Sequence, residues 1–394
     1  MTLKPTIHLC LINDIVTANI TPVLEPHFRP QEVILVHSPA KSYQADCVEA
    51  VLKPTGVTVS RWVIQDTQAI EPIRDRILEL LIARETEDIA LNVSGGTRLI
   101  SLAAYEIFTE FNKPIFYVHP QTDDVIWMHQ RNLPIVNVAD RIKLPAFLRA
   151  HGAEVSHQRQ ASGIPIHLRR LTQELISHTD TLSKPLATLN WLAQQAETSL
   201  QSPYLTEAQR TWRELNALIQ GFATAGLLTY QDGYLRFPDE SARFFVNGGW
   251  LEDYTYSLLF GLRTTIPKIQ DIGHSIEIIR DSTGKAVKNE LDVAFLYNNH
   301  LYIIECKTKR FLTTSEIRSA DFDTPGADVL YKLDTLKGIL GGIHTHVMLV
   351  SYHSLSAWDK QRAQDLQIET CTGQQLVNLT EALTRWLNQA IVNY

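Results

Sequence analysis

The chain has 394 residues, 44% hydrophobic and 20% charged, a globular composition long enough for about two or three domains. Its formal net charge of −7 excludes a protein that coats nucleic acid through a broad basic surface, while leaving room for a local groove. Cys10, Cys47, Cys306 and Cys371 stand far apart without CxxC spacing, which reads as reduced core thiols in a cytoplasmic protein.

No apolar run reaches the length of a membrane span, and "MTLKPTIHLCLIND" lacks a signal-peptide pattern. The apolar runs "TIHLCLI", "EVILVHS", "VTVSRWVI", "IALNV" and "PIFYVH" alternate with helical patterns such as "SYQADCVEAVLK" and "EPIRDRILELLIARE". That alternation predicts βαβ units and a parallel, Rossmann-like α/β sheet over residues 1–145. In such sheets ligands bind beyond the carboxyl ends of the strands. Two strand ends carry polar clusters. After the first comes "INDIVTANITP", with Asn13, Asp14, Thr17 and Asn19 ahead of a helix. After "IALNV" comes "SGGTRLISLAAYEIF", where Ser94, Gly95, Gly96, Thr97 and Arg98 form a glycine turn at a helix N-terminus. That turn is either an anion site or an ordinary strand-to-helix turn capped by Ser94 or Thr97. There is neither a Walker A motif nor GxGxxG, which argues against an ATPase or a dehydrogenase.

Residues 146–245 read as a helical segment closing on "GLLTYQDGYLRF", a short hairpin turning at Asp232-Gly233. Helices followed by a hairpin suggest a winged-helix-like module. Without a basic recognition helix, a spacer is favoured over a DNA reader.

Residues 246–394 begin with a helix in "NGGWLEDYTYSLLFGL" and continue into "NELDVAFLYNNHLYIIECKTKR". Asn298-Asn299 suit a type I′ turn because asparagine tolerates positive φ. With that turn Tyr297 pairs with His300, Asp292 falls opposite Glu305, and Glu290 falls opposite Lys307. Alternation puts these four charges on one face and Leu291, Val293, Phe295, Tyr302, Ile304 and Cys306 on the other. Opposed carboxylates destabilise a sheet unless something compensates, and a hard divalent cation held by two carboxylates does so. The bland reading is a solvated face with a Glu290–Lys307 surface pair. Downstream, "ADVLYKLDTLKGILGG" predicts a helix whose Lys332 is either a phosphate contact or a surface lysine, and "THVMLVSY" predicts a strand. His344 and His346 share a face, with too few ligands nearby for a zinc site.

Asp292, twelve residues, then Glu305-Cys306-Lys307 resembles the PD-(D/E)XK signature of restriction-endonuclease-like nucleases, with Leu291 where the family name has proline. The resemblance implies that Asp292 and Glu305 bind Mg²⁺ or Mn²⁺, that the Cys306 carbonyl completes the site, and that Lys307 assists the attacking water. Glu252 becomes a candidate third acidic ligand from the preceding helix, or else a first-turn acid favoured by the macrodipole.

"NVSGGTR" after the fourth strand resembles the CARF domain, the cyclic-oligoadenylate sensor of type III CRISPR systems. Joined to "GGWLEDY" and a PD-(D/E)XK domain, it is similar to the CRISPR ancillary nucleases. Arg98 departs from the lysine that many relatives carry, keeping the charge but changing the hydrogen-bond geometry. The resemblance implies a homodimer with one pocket on the two-fold axis, lined by the two polar loops. It implies an activator, cyclic tetraadenylate first and cyclic hexaadenylate second, and a substrate of single-stranded DNA, RNA or both. Two other functions share these features: a CARF-controlled transcription regulator, and a ring nuclease that degrades the messenger.

Overall fold

The computed structural model describes residues 4–120, 122–128, 133–138, 140–159, 163–282, 285–309 and 325–389. In the first third the chain runs β1 (Ile7–Leu11), α1 (Thr17–Leu24), β2 (Glu32–His37), α2 (Ser42–Leu52), β3 (Thr58–Val63), α3 (Ile70–Ala83), β4 (Ile89–Asn92), α4 (Arg98–Glu110) and β5 (Ile115–Val118). β1 to β5 are parallel in the order β3-β2-β1-β4-β5, as the βαβ pattern predicts. Every residue of β1 and β4 is buried, because helices cover both faces of a parallel sheet. Two short antiparallel strands, β6 (Asp124–Trp127) and β7 (Val136–Asn137), extend the β5 edge and were not visible in the sequence.

The middle opens with α5 (Leu144–Ala150) and β8 (Ala153–Gln158). β8 corrects the expectation of a purely helical segment: it pairs antiparallel with a strand of the C-terminal sheet and forms its edge. α6 (Arg169–Ser177), α7 (Thr179–Gln195), α8 (Glu207–Thr211) and α9 (Arg213–Thr224) follow. Then come the hairpin β9 (Thr229–Gln231) and β10 (Tyr234–Arg236), and α10 (Glu240–Phe244). The hairpin turns at Asp232-Gly233 with φ of +54° and +81°, as expected of that dipeptide.

The last third holds α11 (Trp250–Leu262), β11 (Ile269–Ser282), β12 (Lys285–Tyr297), β13 (His300–Lys307), α12 (Pro325–Ile339), β14 (Thr345–Ser351), α13 (Ala357–Asp365), β15 (Glu369–Thr372) and α14 (Leu379–Gln389). Its sheet has the order β15-β14-β13-β12-β11-β8. One apolar cluster joins the two ends of the chain, with Cys10, Ile12 and Val16 packed in the same core as Phe147, Ile276, Leu301, Ile303 and Val347. The two sheets therefore share buried surface.

Candidate active site and ligand loops

The turn sets the register of the catalytic hairpin. Asn298 and Asn299 both take positive φ, +50° and +56°, and the ladder runs from Tyr297–His300 to Val293–Ile304, the register expected from the sequence. At Asp292 the alternation slips. Leu291 packs with Leu301 and Ile303, whereas Val293 and Phe295 pack on the opposite face with Ile304 and Cys306. Across from Asp292, between the pairs His274–Val293 and Ile276–Leu291, Ser275 adopts φ +43°, rare for a residue with a Cβ. Both strands change face at the point that presents the carboxylate.

This slip corrects the placing of Glu290 and Leu291. Glu290 is exposed and its partner across the sheet is Glu277 on β11, so the expected Glu290–Lys307 pair does not form. Lys307 Nζ instead lies 2.6 Å from Glu305 Oε1 and 3.7 Å from Asp292 Oδ2. The Cys306 N–H donates to Asp292 Oδ2 at 2.7 Å. Lys332 on α12 donates to both oxygens of Glu305, at 2.8 and 3.0 Å, a pairing that neither reading of the sequence named.

Glu252 joins the group from α11. Gly248 has φ +111°, and a Cβ there would collide with Thr308 Oγ1, so glycine brings the start of α11 against the end of β13. Glu252 Oε2 accepts from Ser275 Oγ at 3.3 Å. Burial raises the Glu252 pKa well above its ordinary value, and the negative charges of Asp292 and Glu290 raise it further. Asp292 rises to about 7, from burial first and the Glu305 carboxylate second. Glu305 goes the other way. Burial pushes it up, but the Lys307 and Lys332 ammonium groups together outweigh burial and lower it. Against the cost of burial, Asp292 and Glu305 hold the Lys307 pKa above its ordinary value, so it stays an ammonium cation. Beside this group, His274 lies 3.3 Å from Asp253 Oδ1, and Asp253 is 3.4 Å from Arg159. No sequence pattern marks Ser275, His274 or Asp253.

The donor chemistry suits a hard divalent cation. Asp292 and Glu305 are neighbouring carboxylates whose repulsion Lys307 and Lys332 offset only in part, leaving Asp292 raised, and Mg²⁺ takes one or two carboxylates plus water and substrate oxygens. Among the described residues no three His, Cys, Asp or Glu side chains form a ready-made metal cage, so water and substrate would supply the rest.

The two polar loops meet at the switch point between β1 and β4, where the strand order reverses. Asn13 Nδ2 donates to the Gly96 carbonyl at 3.3 Å, tying one loop to the other. Gly95 fits against β1 so closely that a Cβ would overlap the Leu11 carbonyl oxygen, and Gly96 takes φ +85°. Thr97 is the N-cap of α4, accepting from the Ile100 N–H at 3.4 Å, and Arg98 projects into solvent. Ser94 Oγ accepts from the Val118 N–H at 2.8 Å. Asp14 is exposed and pairs with Lys41 at 2.6 Å. Thr17 is buried, with no partner for its hydroxyl among the described residues. Asn19 is a correction. It is fully buried, donating to the Leu11 carbonyl at 3.0 Å and accepting from Asn92 at 3.1 Å, so it holds the loop instead of meeting a ligand. Asn92, unremarked in the sequence, also donates to the Ala18 carbonyl and accepts from the Ser94 N–H. Its signals are a polar residue closing a buried strand and its place at the head of "NVSGGTR".

Residues 7–144 match the family described as Card1 CARF domain, and residues 239–390 match the Card1-like endonuclease domain. Over its whole length the chain is similar to protein VC1899 from Vibrio cholerae, with 31% identity, 98% of each chain covered and a TM-score of 0.87. The chain belongs to the Card1-like CARF nucleases of the type III CRISPR ancillary family. The CARF domain and endonuclease domain also align with Can2 from Sulfobacillus thermosulfidooxidans, solved with cyclic tetra-adenylate. That likeness has 26% identity, 97% and 99% coverage and a TM-score of 0.78. A type III CRISPR defence DNA nuclease activated by cyclic oligoadenylate shares the fold at 15% identity and a TM-score of 0.51, over 89% of this chain and 46% of that one. No curated protein matches the chain. Among the described residues no helix is long and apolar enough to cross a membrane.

Proposed function

We propose that this CARF nuclease is a metal-dependent endonuclease switched on by a cyclic oligoadenylate, with cyclic tetraadenylate as the activator and hexaadenylate the second choice. Its substrate is single-stranded DNA, RNA or both, with low sequence specificity that extends to nicking supercoiled DNA, and it works in the cytoplasm. The observation that carries the reading is the convergence of Asp292, Glu305 and Lys307 at the end of one hairpin, with Lys307 2.6 Å from one carboxylate and 3.7 Å from the other.

Asp292, Glu305, the Cys306 carbonyl and Glu252 would hold Mg²⁺ or Mn²⁺, which supplies Lewis acidity and lowers the pKa of a bound water. Lys307 donates toward the attacking water or the phosphate oxygens, where its fixed charge offsets the charge developing in the transition state. Glu305 is kept ionised by its two lysines. Burial, with the charges of Asp292 and Glu290 on Glu252 and of Glu305 on Asp292, raises both carboxyls, and a bound cation would favour their ionised forms.

The activator pocket comprises Asn13, Asp14 and Thr17 with Ser94, Gly95, Gly96, Thr97 and Arg98. A homodimer doubles it across the two-fold axis, and a ring of repeated nucleotides suits an isologous site. Moving the enzyme from 1:99 to 99:1 active requires about 10⁴-fold preference of the activator for the active state.

The test is cleavage of labelled single-stranded DNA and RNA with Mg²⁺ or Mn²⁺, with and without each ring, beside Glu305→Ala. Cutting that needs both ring and metal and is absent in Glu305→Ala supports the reading. A ring that binds without cutting under any combination sinks it and moves the regulator reading forward.

A further inference from the structure

From Glu252 a row of planar side chains leads out along α11 to the surface. His274 lies 3.9 Å from Glu252 Oε2, the Tyr256 ring is centred 5.4 Å from that imidazole, and the Phe260 ring follows at 6.2 Å, inclined 27° to Tyr256. Glu252, Tyr256 and Phe260 are successive i, i+4 positions, so they share one stripe of the helix. At 1.5 Å per residue, Phe260 stands about 12 Å along the axis from Glu252. Tyr256 is buried, whereas Phe260 is 56% exposed.

Phe260 also walls a cavity of about 530 Å³ between α11 and α6, room for one nucleotide. Tyr254 and Tyr256 line it from α11, and Arg169, Thr172 and Gln173 from α6. The two helices are fixed here, because the Ile164 N–H ahead of α6 donates to Ser257 Oγ at 2.8 Å. No described lining residue is Asp or Glu, and Arg169 is exposed without an ion-pair partner among the described residues. Aromatic rings beside an unpaired guanidinium suit a ligand that joins a flat ring to an anion.

We propose that this cavity carries the single-stranded substrate away from the scissile phosphate, with one base stacked on Phe260 and a flanking phosphate held by Arg169. The proposal rests on the endonuclease reading above. At about 3.4 Å per nucleotide of a stacked strand, Phe260 meets a base only a few nucleotides from the metal site. Every base has a π-face, so stacking accepts any sequence, in keeping with low specificity. An intact duplex already stacks and pairs its bases and cannot offer one to Phe260.

The experiment uses full-length Glu305→Ala protein with cyclic tetraadenylate and Mg²⁺, so that a strand is bound and not cut. It compares oligothymidylate with an abasic strand of equal length, which keeps the phosphates and loses every base. The thymidine strand is expected to bind about 5- to 100-fold tighter, and adding Phe260→Ala should cut that preference by about fivefold or more. Phe260→Trp should restore it. Arg169→Gln should weaken both strands alike and make the slope of log affinity against log salt shallower by about 0.7, the loss of one phosphate contact. In protein that retains Glu305, Phe260→Ala should raise KM for the thymidine strand while kcat stays within about threefold.

A preference that survives Phe260→Ala, or an unchanged salt slope in Arg169→Gln, overturns the site. So does a Phe260→Ala particle of altered mass in solution, which would put a second copy of the chain on this face. Should Glu305→Ala bind neither strand, the KM comparison decides; should Phe260→Ala not fold, the Arg169→Gln slope decides. Failure of protein that retains Glu305 to bind or cut any strand removes the endonuclease reading and the site with it. Cutting that ignores both substitutions removes the site alone.

Discussion

Lys332 Nζ holds both carboxylate oxygens of Glu305, at 2.8 and 3.0 Å, from a helix separate from the hairpin that carries the rest of the site. With Lys307 on the same carboxylate, Glu305 is ionised, while Asp292, reached by Lys307 only at 3.7 Å, rises to about 7. Lys332→Gln should lower cleavage about 10- to 100-fold, because Glu305 loses the partner that fixes its orientation. The stability cost should be only about 1 kcal/mol, since Lys307 still pairs the buried carboxylate. Lys332→Arg should recover most of the rate. Cleavage rates and denaturant unfolding of both variants check this, and an unaffected Lys332→Gln rate would show α12 to be irrelevant to the site.

Ser275 combines positive φ with a hydrogen bond to Glu252. Ser275→Gly relieves backbone strain of about 1–2 kcal/mol but adds about 0.5–1 kcal/mol of unfolded-state entropy, so stability should change by less than about 1 kcal/mol. Activity should fall, because Glu252 loses its donor. A variant that loses stability and activity together would mean that the strained turn holds the sheet and not the carboxylate.

The parts that were legible are those in which local chemistry decides. Asn298-Asn299 and Asp232-Gly233 fix their turns through φ alone, and the spacing of Asp292, Glu305 and Lys307 follows from such a turn. Gly248-Gly249 signalled the helix that delivers Glu252. What stayed hidden depends on distant neighbours. β8 is a strand only because β11 lies beside it, and Ser275 takes its conformation from the slip at Asp292 opposite. Asn19 has the same polar character as Asn13 in the sequence, and only the fold shows that β1 and Asn92 consume its hydrogen bonds. Glu290 was assigned by extending strict alternation through the residue at which alternation fails.

Gly95→Ala tests the join between the two ligand loops. The added Cβ overlaps the Leu11 carbonyl oxygen, which is backbone of a buried central strand and has no room to retreat. The expected loss is about 1–3 kcal/mol, as for overpacking in a core, with activator binding lost before global stability. Thermal unfolding and ring binding measured together check this. Gly56→Ala is the contrast: that glycine also has positive φ but meets nothing within 4 Å, so its cost is backbone strain without a change in binding.

Asp123 gives the protein a pH-dependent stability. Burial first, then the neighbouring Asp140 and Asp124 charges, raise its pKa from 3.8 to about 7, against the opposing influence of Asn299 and Lys268. Between about pH 4 and 7 the folded state binds a proton that the unfolded chain has released, so stability falls as pH rises through that window and levels off above it. At three pH units and about 1.4 kcal/mol per unit, the full effect is on the order of 4 kcal/mol, an upper bound. Asp123→Asn cannot ionise and tolerates the same positive φ. It should match wild type near pH 4 and exceed it at pH 8 by on the order of 2–4 kcal/mol. Denaturant unfolding of both proteins across that range decides it: a difference that stays constant with pH would show that Asp123 keeps an ordinary carboxylate pKa at the junction of the two domains.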